Sequence, residues 1–385
     1  MAGTPEDSLP AHVYFFNHVH SRHSKDNGWA KPLKFSAAKI LRHTRDFLAE
    51  RNQTGMVAVT DHNDDRSFDE IEGEARDGRV TSLRSVEWGL GSHLGMIGVV
   101  PQWEKLPDYA QYKHLSQLEV SRGVARLRIV NHPNYRGREW PLKFWGDADA
   151  VEVWNTPYEE RPFVLAAKSF SRSNNRLALA QWVESLKNTL VGGRKYPAVA
   201  GSDFHFNAPC VRERFLLYPT NVVLSADNRA DRVTDAIAQG RVSIVVSPES
   251  PKLFLRAAVG KEVRDIGGTI VAAKAAKIHV TATGDFLDAR ARLEPGCYEG
   301  FKRSLTRRYP LDRDRFEVRV FQGTREGKPV WTGTMRREPF LSTLKLELDW
   351  SGAGRDYIRA ELWRVQKSRE ELAGFTNPIH LSATP

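Results

Sequence analysis

Met56-Val57-Ala58-Val59-Thr60-Asp61-His62-Asn63 is an apolar run that ends abruptly in a carboxylate and an imidazole. A short apolar run bounded by polar residues suits a strand buried on both faces. The same arrangement recurs along the first 250 residues. Val13–Phe16 leads into Asn17-His18-Val19-His20, Leu83–Glu87 ends in the acid itself, and Leu127–Asn131 leads into His132. Ala150–Trp154 is followed by Asn155, and Ala198–Gly201 by Ser202-Asp203-Phe204-His205. Leu94–Val100 is a further run, with His93 just before it.

Helical patterns lie between these runs. Phe35–Arg51 carries Ile40, Leu41, Phe47 and Leu48 at helical spacing. Ser67-Phe68-Asp69-Glu70 and Ser116-Gln117-Leu118-Glu119 read as capping boxes that open two more helices. Leu177–Leu190 and Arg229–Gln239 read as later helices, stopped by Gly192-Gly193 and Gly240. Strand alternating with helix predicts α/β architecture with parallel βα units. In a βα-barrel the carboxyl ends of the strands share one mouth, so polar strand ends would all face it.

The texture changes near Ser247, where Pro248 and Pro251 mark a linker. Lys277–Thr283, Phe316–Phe321, Leu344–Leu348 and Tyr357–Trp363 then alternate with period two, the pattern of half-buried antiparallel strands. The expected division is residues 1–247 as an α/β domain and 248–385 as a small antiparallel β-sandwich-like domain.

Bulk properties narrow the function classes. The 385 residues are 41% hydrophobic and 10% aromatic, which suits a globular core and excludes a disordered chain. No apolar run approaches a membrane span, and Met1–Pro10 has no apolar leader segment, so a cytoplasmic location is expected. Cys210 and Cys297 are too few for a disulfide framework and fit no thiolate metal site, so any metal must sit on nitrogen and oxygen ligands. Of the net charge of +10, most lies in residues 251–385, with 25 Lys and Arg against 17 Asp and Glu. Opposite charges are interspersed there, which favours a solvated basic surface over a nucleic-acid face.

The chemistry-bearing groups are His18 and His20, which share a face on a regular strand; the Asp61-His62 pair; Glu87 with His93; His132; and Asp203 with His205. Each is modest alone. Their number and order at successive strand ends point to a shared cation site, because a carboxylate can bridge two cations while imidazoles complete their shells.

That order resembles the PHP (polymerase and histidinol phosphatase) superfamily over roughly the first 250 residues. More narrowly, Val86-Glu87-Trp88 with Gly91-Ser92-His93, then Val151-Glu152-Val153-Trp154-Asn155, and Phe375-Thr376-Asn377-Pro378-Ile379, resemble the subgroup that includes carbaryl hydrolases. The resemblance implies a distorted seven-stranded (β/α) barrel and two or three divalent ions of Mn, Zn or Fe. It implies a first metal on His18, His20, Glu87 and Asp203, a second on Glu87, His93 and His132, and a third on Asp26, His62 and His205. Two departures stand out. Phe16 occupies the place of an acid that usually precedes the first histidine by two. The Ser-Asp-Gly that usually follows is stretched to Ser24-Lys25-Asp26-Asn27-Gly28, which leaves His23 as an alternative to Asp26.

The expected activity is hydrolysis of a small-molecule phosphate ester by metal-activated hydroxide. Asp61 would orient His62, and Arg212 and Arg214 would grip the phosphate. Hydrolysis of a carbamate or carboxyl ester on the same metals is the alternative. Trp88, Trp154 and Tyr158 are its candidate aromatic contacts, weighed against plain core packing. A structural metal site in a nucleic-acid- or partner-binding protein is a third reading, disfavoured because structural zinc needs only four ligands.

Overall fold

The computed structural model describes residues 9–25, 35–72, 78–89, 91–106, 115–135, 137, 139–155, 175–205, 217–246, 248, 250–272, 275–284, 315–323, 327–335, 342–350, 354–366 and 369–383. The fold is mixed α/β, rich in strands and poor in helices. Its first part runs β1 (Val13–Val19), α1 (Ala37–Ala49), β2 (Gly55–Val59), α2 (Ser67–Glu72), β3 (Val80–Ser82), β4 (Ser85–Trp88) and β5 (Leu94–Val99). It continues through α3 (Leu115–Val120), β6 (Ala125–Val130), α4 (Leu142–Trp145), β7 (Ala150–Asn155), α5 (Asn175–Leu190), β8 (Ala198–Gly201), β9 (Thr220–Val223), α6 (Ala230–Ala238) and β10 (Val242–Val245). Each apolar run of the sequence coincides with a strand to within three residues at its ends, and each helical pattern is a helix within a few residues.

The strands are not all parallel, as the alternation predicts. β1, β2 and β3 pair in parallel, as do β6, β7 and β8. β5 is antiparallel to both β4 and β6. The link from Trp88 to Leu94 is too short for a crossover, which needs a dozen residues or more. The reversal has a consequence for the site. It sets the start of β5, and therefore His93, beside the carboxyl ends of β4 and β6.

Hydrogen bonding divides these strands between a five-stranded sheet, β4-β5-β6-β7-β8, and a larger one that contains β3-β2-β1-β9-β10. Two isolated parallel bridges join them, His62 to Glu87 and Val19 to Phe204. Side chains close much of the seam beside β8. Asn221 accepts from the Ala200 amide at 2.7 Å and donates to the carbonyls of Ala200 at 2.8 Å and Phe15 at 3.1 Å. Asn377 does the same for Ala198, at 2.7 Å and 2.8 Å, and also donates to Val242 O at 3.0 Å. Both asparagines are buried. An amide side chain copies the donor and acceptor of a missing neighbour strand, so the edge of β8 is satisfied without one.

Beyond residue 250 come β11 (Lys252–Val259), β12 (Glu262–Asp265), β13 (Thr269–Ala272), β14 (Ala276–Gly284), β15 (Arg315–Gln322), β16 (Trp331–Met335), β17 (Ser342–Trp350), β18 (Arg355–Gln366), β19 (Arg369–Thr376) and β20 (Ile379–Ala383). β12-β11-β14-β17 form an antiparallel sheet. The other strands extend the large sheet, because β19 pairs with β10. The large sheet thus takes strands from both sides of residue 247. Leu253, Leu255, Ile278 and Val280 from one sheet share a buried cluster with Val318, Val320, Ala360 and Leu362 from the other. No helix among the described residues is long and apolar enough to cross a membrane.

Replacing Asn221 by Ala strips partners from three buried backbone groups. It should cost about 2 kcal/mol or more of unfolding free energy by urea titration. A loss below about 0.5 kcal/mol, within the range of ordinary surface changes, would show that the seam does not depend on it.

Candidate metal centre

β1 delivers its histidines through an irregularity. Tyr14 and Phe16 belong to the core cluster under α1, where Phe16 meets the Phe47 ring edge-on at 6.2 Å. Val13 and Phe15 belong to the other cluster. On a regular strand His18 and His20 would follow Phe16 under α1. The pairing with β2 shifts register between Phe16 and Val19, and His18 takes a left-handed φ of 60°. Val19 then falls in the Phe16 cluster, and both histidines turn the other way, fully buried, with ring centroids 5.1 Å apart. Phe16 is thus a core residue and no part of the pocket.

His132, at φ 26°, and Asp203, at φ 46°, also have left-handed backbones, as does Asn63, next to His62, at φ 51°. Such backbone costs a non-glycine residue roughly 1–3 kcal/mol and persists where the surroundings over-determine it. Asn52, after α1, is the other described non-glycine residue of this kind. The strain therefore concentrates at one pocket.

Glu87, fully buried at the end of β4, is the hub. Its Oε1 lies 3.0 Å from His18 Nε2, 3.1 Å from His93 Nδ1 and 3.2 Å from His132 Nε2. Its Oε2 lies 2.9 Å from His62 Nδ1 and 3.5 Å from His20 Nε2. Asp203 Oδ1 sits 3.2 Å from His20 Nε2, 3.4 Å from His18 Nε2 and 3.2 Å from His205 Nδ1. Four overlapping groups have ligand atoms within 4.8 Å of one another: His18–Glu87–His132, His18–His20–Asp203, His62–Glu87–His93 and His20–His62–His205. His62 and His205 are 16% and 18% exposed, so the pocket opens on their side.

The donor set fits divalent cations. His18 Nε2, His20 Nε2 and Glu87 Oε2 are buried and make no hydrogen bond. Among the described residues no Lys or Arg pairs with Glu87 or Asp203; their ionic neighbours are all histidines. Buried carboxylates need a compensating charge, and neutral imidazole with carboxylate is a ligand set for Zn, Mn or Fe.

Electrostatics agrees. Burial, helped by the neighbouring His205, pushes His20 down to about 3, and burial pushes His93 down to about 4 despite Glu87. Both rings are therefore neutral near pH 7 and have a lone pair to give. Burial opposes ionisation of Glu87 and Asp203, yet the surrounding imidazoles, His18 foremost, hold both well below the usual carboxylate range. Burial likewise opposes charge on His18, but Glu87, Glu152 and Asp203 raise it well above the ordinary imidazole value.

Eight of the nine expected ligands thus share one pocket: His18, His20, His62, Glu87, His93, His132, Asp203 and His205. The ninth, Asp26, lies outside the described residues, as do Arg212, Arg214, Cys210 and Tyr158. His23, its alternative, has its Nε2 on Glu70 at 2.7 Å and falls in none of the four groups. The expected direct contact of Asp61 with the His62 ring is not among its hydrogen bonds. Its carboxylate accepts from the Ser21 amide and hydroxyl, both at 2.6 Å, and so pins the turn after β1. That turn carries Ser24, whose hydroxyl meets His20 Nδ1 at 3.2 Å and accepts from the His62 amide at 3.1 Å. Burial lifts Asp61 to about 6 against those hydrogen bonds. Trp88 and Trp154 are packed in the core, 2% and 7% exposed.

Two supporting residues carry roles that the sequence reading does not assign them. Asn131 donates to Glu87 Oε1 at 2.9 Å. Glu152 accepts from His18 Nδ1 at 2.9 Å and from the His132 amide at 2.7 Å. The available signal was a charged residue in the middle of the otherwise apolar run Ala150–Trp154.

No protein-family model matches this chain, and no curated protein matches it. Among solved structures it is similar to the crystal structure of a two-domain protein containing a predicted PHP-like metal-dependent phosphoesterase, from Bacteroides vulgatus ATCC 8482. The two are 11% identical over 96% of this chain and 95% of that one, with a TM-score of 0.45.

Elemental analysis separates the hub from a bystander. Protein purified without chelator should carry Mn, Zn or Fe. Glu87→Gln should lose at least about half of it, whereas His23→Ala should retain it all. Full metal content in Glu87→Gln would remove Glu87 from the centre.

Proposed function

We propose that this chain is a metal-dependent phosphoesterase of the PHP type, acting on a small phosphorylated ester at a di- or trinuclear site of Mn, Zn or Fe. The observation that carries the reading is the buried set of overlapping ligand groups around Glu87, with no basic side chain among the described residues to neutralise it. The motif order along the sequence supports the PHP assignment. We further propose that β1, β2 and β4–β8 act as the seven-stranded barrel of that family, and that residues 248–385 form its second domain.

In this reading Glu87 would span two cations. His18, His20 and Asp203 would complete one shell, His93 and His132 the other, and His62 with His205 a third at the open side. Bound divalent cations supply a lowered pKa for water and positive charge against the oxyanion that develops. The chain's own groups do the rest. Asn131 holds the Glu87 carboxylate by its Oε1. Asp61, through Ser21 and the turn that bears Ser24, keeps His20 and His62 in place. The His205 Nδ1 hydrogen goes to the Asp203 carbonyl at 2.8 Å, so the neutral ring carries its lone pair on Nε2. Substrate enters beside His62 and His205, the partly exposed members. Lys25 donates to Asn63 O at 2.8 Å, next to His62, and adds positive charge at that edge; Arg212 and Arg214 are the further candidates for gripping phosphate.

Carbonyl attack would use the same cluster, so carbamate or carboxyl ester hydrolysis is the competing activity. Its proposed aromatic contacts Trp88 and Trp154 are packed in the core, which favours the phosphoester.

Metal-loaded protein should turn over aryl phosphate mono- or diesters and leave aryl carbamates and carboxyl esters untouched. His62→Ala and Asp203→Asn should each lower kcat/KM on the order of 10²-fold or more. Carbamate turnover without phosphate ester turnover would transfer the assignment to the competing activity. Inertness toward every ester would end the hydrolase reading.

A further inference from the structure

Glu152 belongs to none of the ligand groups, yet it is 1% exposed in the middle of the pocket wall. Its Oε1 accepts from His18 Nδ1 at 2.9 Å. Its Oε2 accepts from the His132 amide at 2.7 Å and from Asn155 Nδ2 at 3.1 Å. Asn155 Nδ2 also reaches Asp203 Oδ2, at 3.4 Å. One carboxylate therefore touches, directly or through one amide, residues at the ends of β1, β6 and β8.

Local geometry is built around this contact. Residues three apart on a regular strand face opposite ways, yet Glu152 and Asn155 meet side chain to side chain. The β7–β8 pairing shifts register between Glu152 and Trp154, which brings both inside. Opposite them β8 has Gly201, where a Cβ would lie 1.6 Å from Glu152 Oε1. Any side chain at 201 would evict the carboxylate. The amide that Glu152 holds is that of His132, one of the strained residues.

We infer that Glu152 is the positioning residue of the centre, fixing the His18 ring with hydrogen on Nδ1 and Nε2 directed at the cation site, while clamping the His132 backbone and, through Asn155, Asp203. This rests on the metal reading above. A carboxylate oxygen only accepts here, so the hydrogen must be on Nδ1, and Nε2 is the atom that faces Glu87 and Asp203. Glutamine cannot replace it, although nearly the same shape. With its oxygen toward His132 and Asn155, its NH2 donates to His18 Nδ1 and forces the ring hydrogen onto Nε2, where it blocks a cation. Turned round, its NH2 confronts the His132 N–H, donor against donor. Aspartate keeps the charge but is one methylene short of spanning both contacts.

The test titrates chelator-stripped full-length protein with Zn²⁺ against a competing dye. Stripped Glu152→Gln should keep the wild-type circular dichroism and bind Zn²⁺ about 10- to 100-fold more weakly. Glu152→Asp should also bind more weakly. In Zn²⁺-loaded wild type with ¹⁵N-labelled histidine, the His18 Nδ1–H should be protected from exchange and give a resolved signal that Glu152→Gln lacks. A wild type that takes up no Zn²⁺ overturns the metal reading and this inference with it. If the wild type binds and Glu152→Gln binds as tightly, this inference alone falls. Wild-type affinity in Glu152→Asp overturns it as well, because charge rather than position would then suffice.

Discussion

A carboxylate with no exposed surface, Glu87, lies within 3.5 Å of ring nitrogens from five histidines. Asp203 adds a second buried acid against three rings, two of them shared with Glu87. In a low-dielectric interior such acids are costly unless positive charge sits among them. Protons on a few imidazoles give a partial answer, in line with the raised value of His18 beside Glu87, Glu152 and Asp203. Divalent cations give a complete one, because they satisfy oxygen and nitrogen lone pairs together.

Much of the surrounding fold serves to hold groups that would otherwise separate. The candidate ligands come from six chain segments, and the strands that bear them lie in two sheets. The bridges that join the sheets fall at the site itself, at His62–Glu87 and beside His20 at Val19–Phe204. Where strand pairing is missing along β8, Asn221 and Asn377 supply its hydrogen bonds. Asn377 comes from the loop between β19 and β20, so the C-terminal strands help close the seam along β8. These buried amides tie the strands that carry the cluster together, and fixed geometry is what a well-defined coordination site requires.

The sequence made the residues that gather in the pocket legible because burial and polarity conflict at each strand end. An apolar run that stops in Asp-His, Asn-His or Ser-Asp-Phe-His is hard to explain as ordinary core. What stayed hidden depends on register. Simple alternation puts His18 and His20 on one face but selects the face of Phe16; the shift in β1 reverses that choice. Glu152 and Asn155 look like residues on opposite faces until the β7 irregularity unites them. The direction of β5 was readable from the short Trp88–Leu94 link, yet the regular alternation of helix and strand argued for parallel pairing. The polar neighbour Asp61 was read as the partner of the adjacent His62, while its real hydrogen bonds reach Ser21, forty residues away in sequence. Local spacing cannot reveal that.

The most direct measurement is anomalous diffraction from crystals of protein purified without chelator, recorded on both sides of the Mn, Fe and Zn absorption edges. The account predicts peaks about 2.0–2.3 Å from Glu87 oxygens and from nitrogens of His18, His20, His93 or His132. An empty pocket in protein grown with excess metal, with Glu87 neutralised by protonated imidazoles or by a basic side chain, would contradict it.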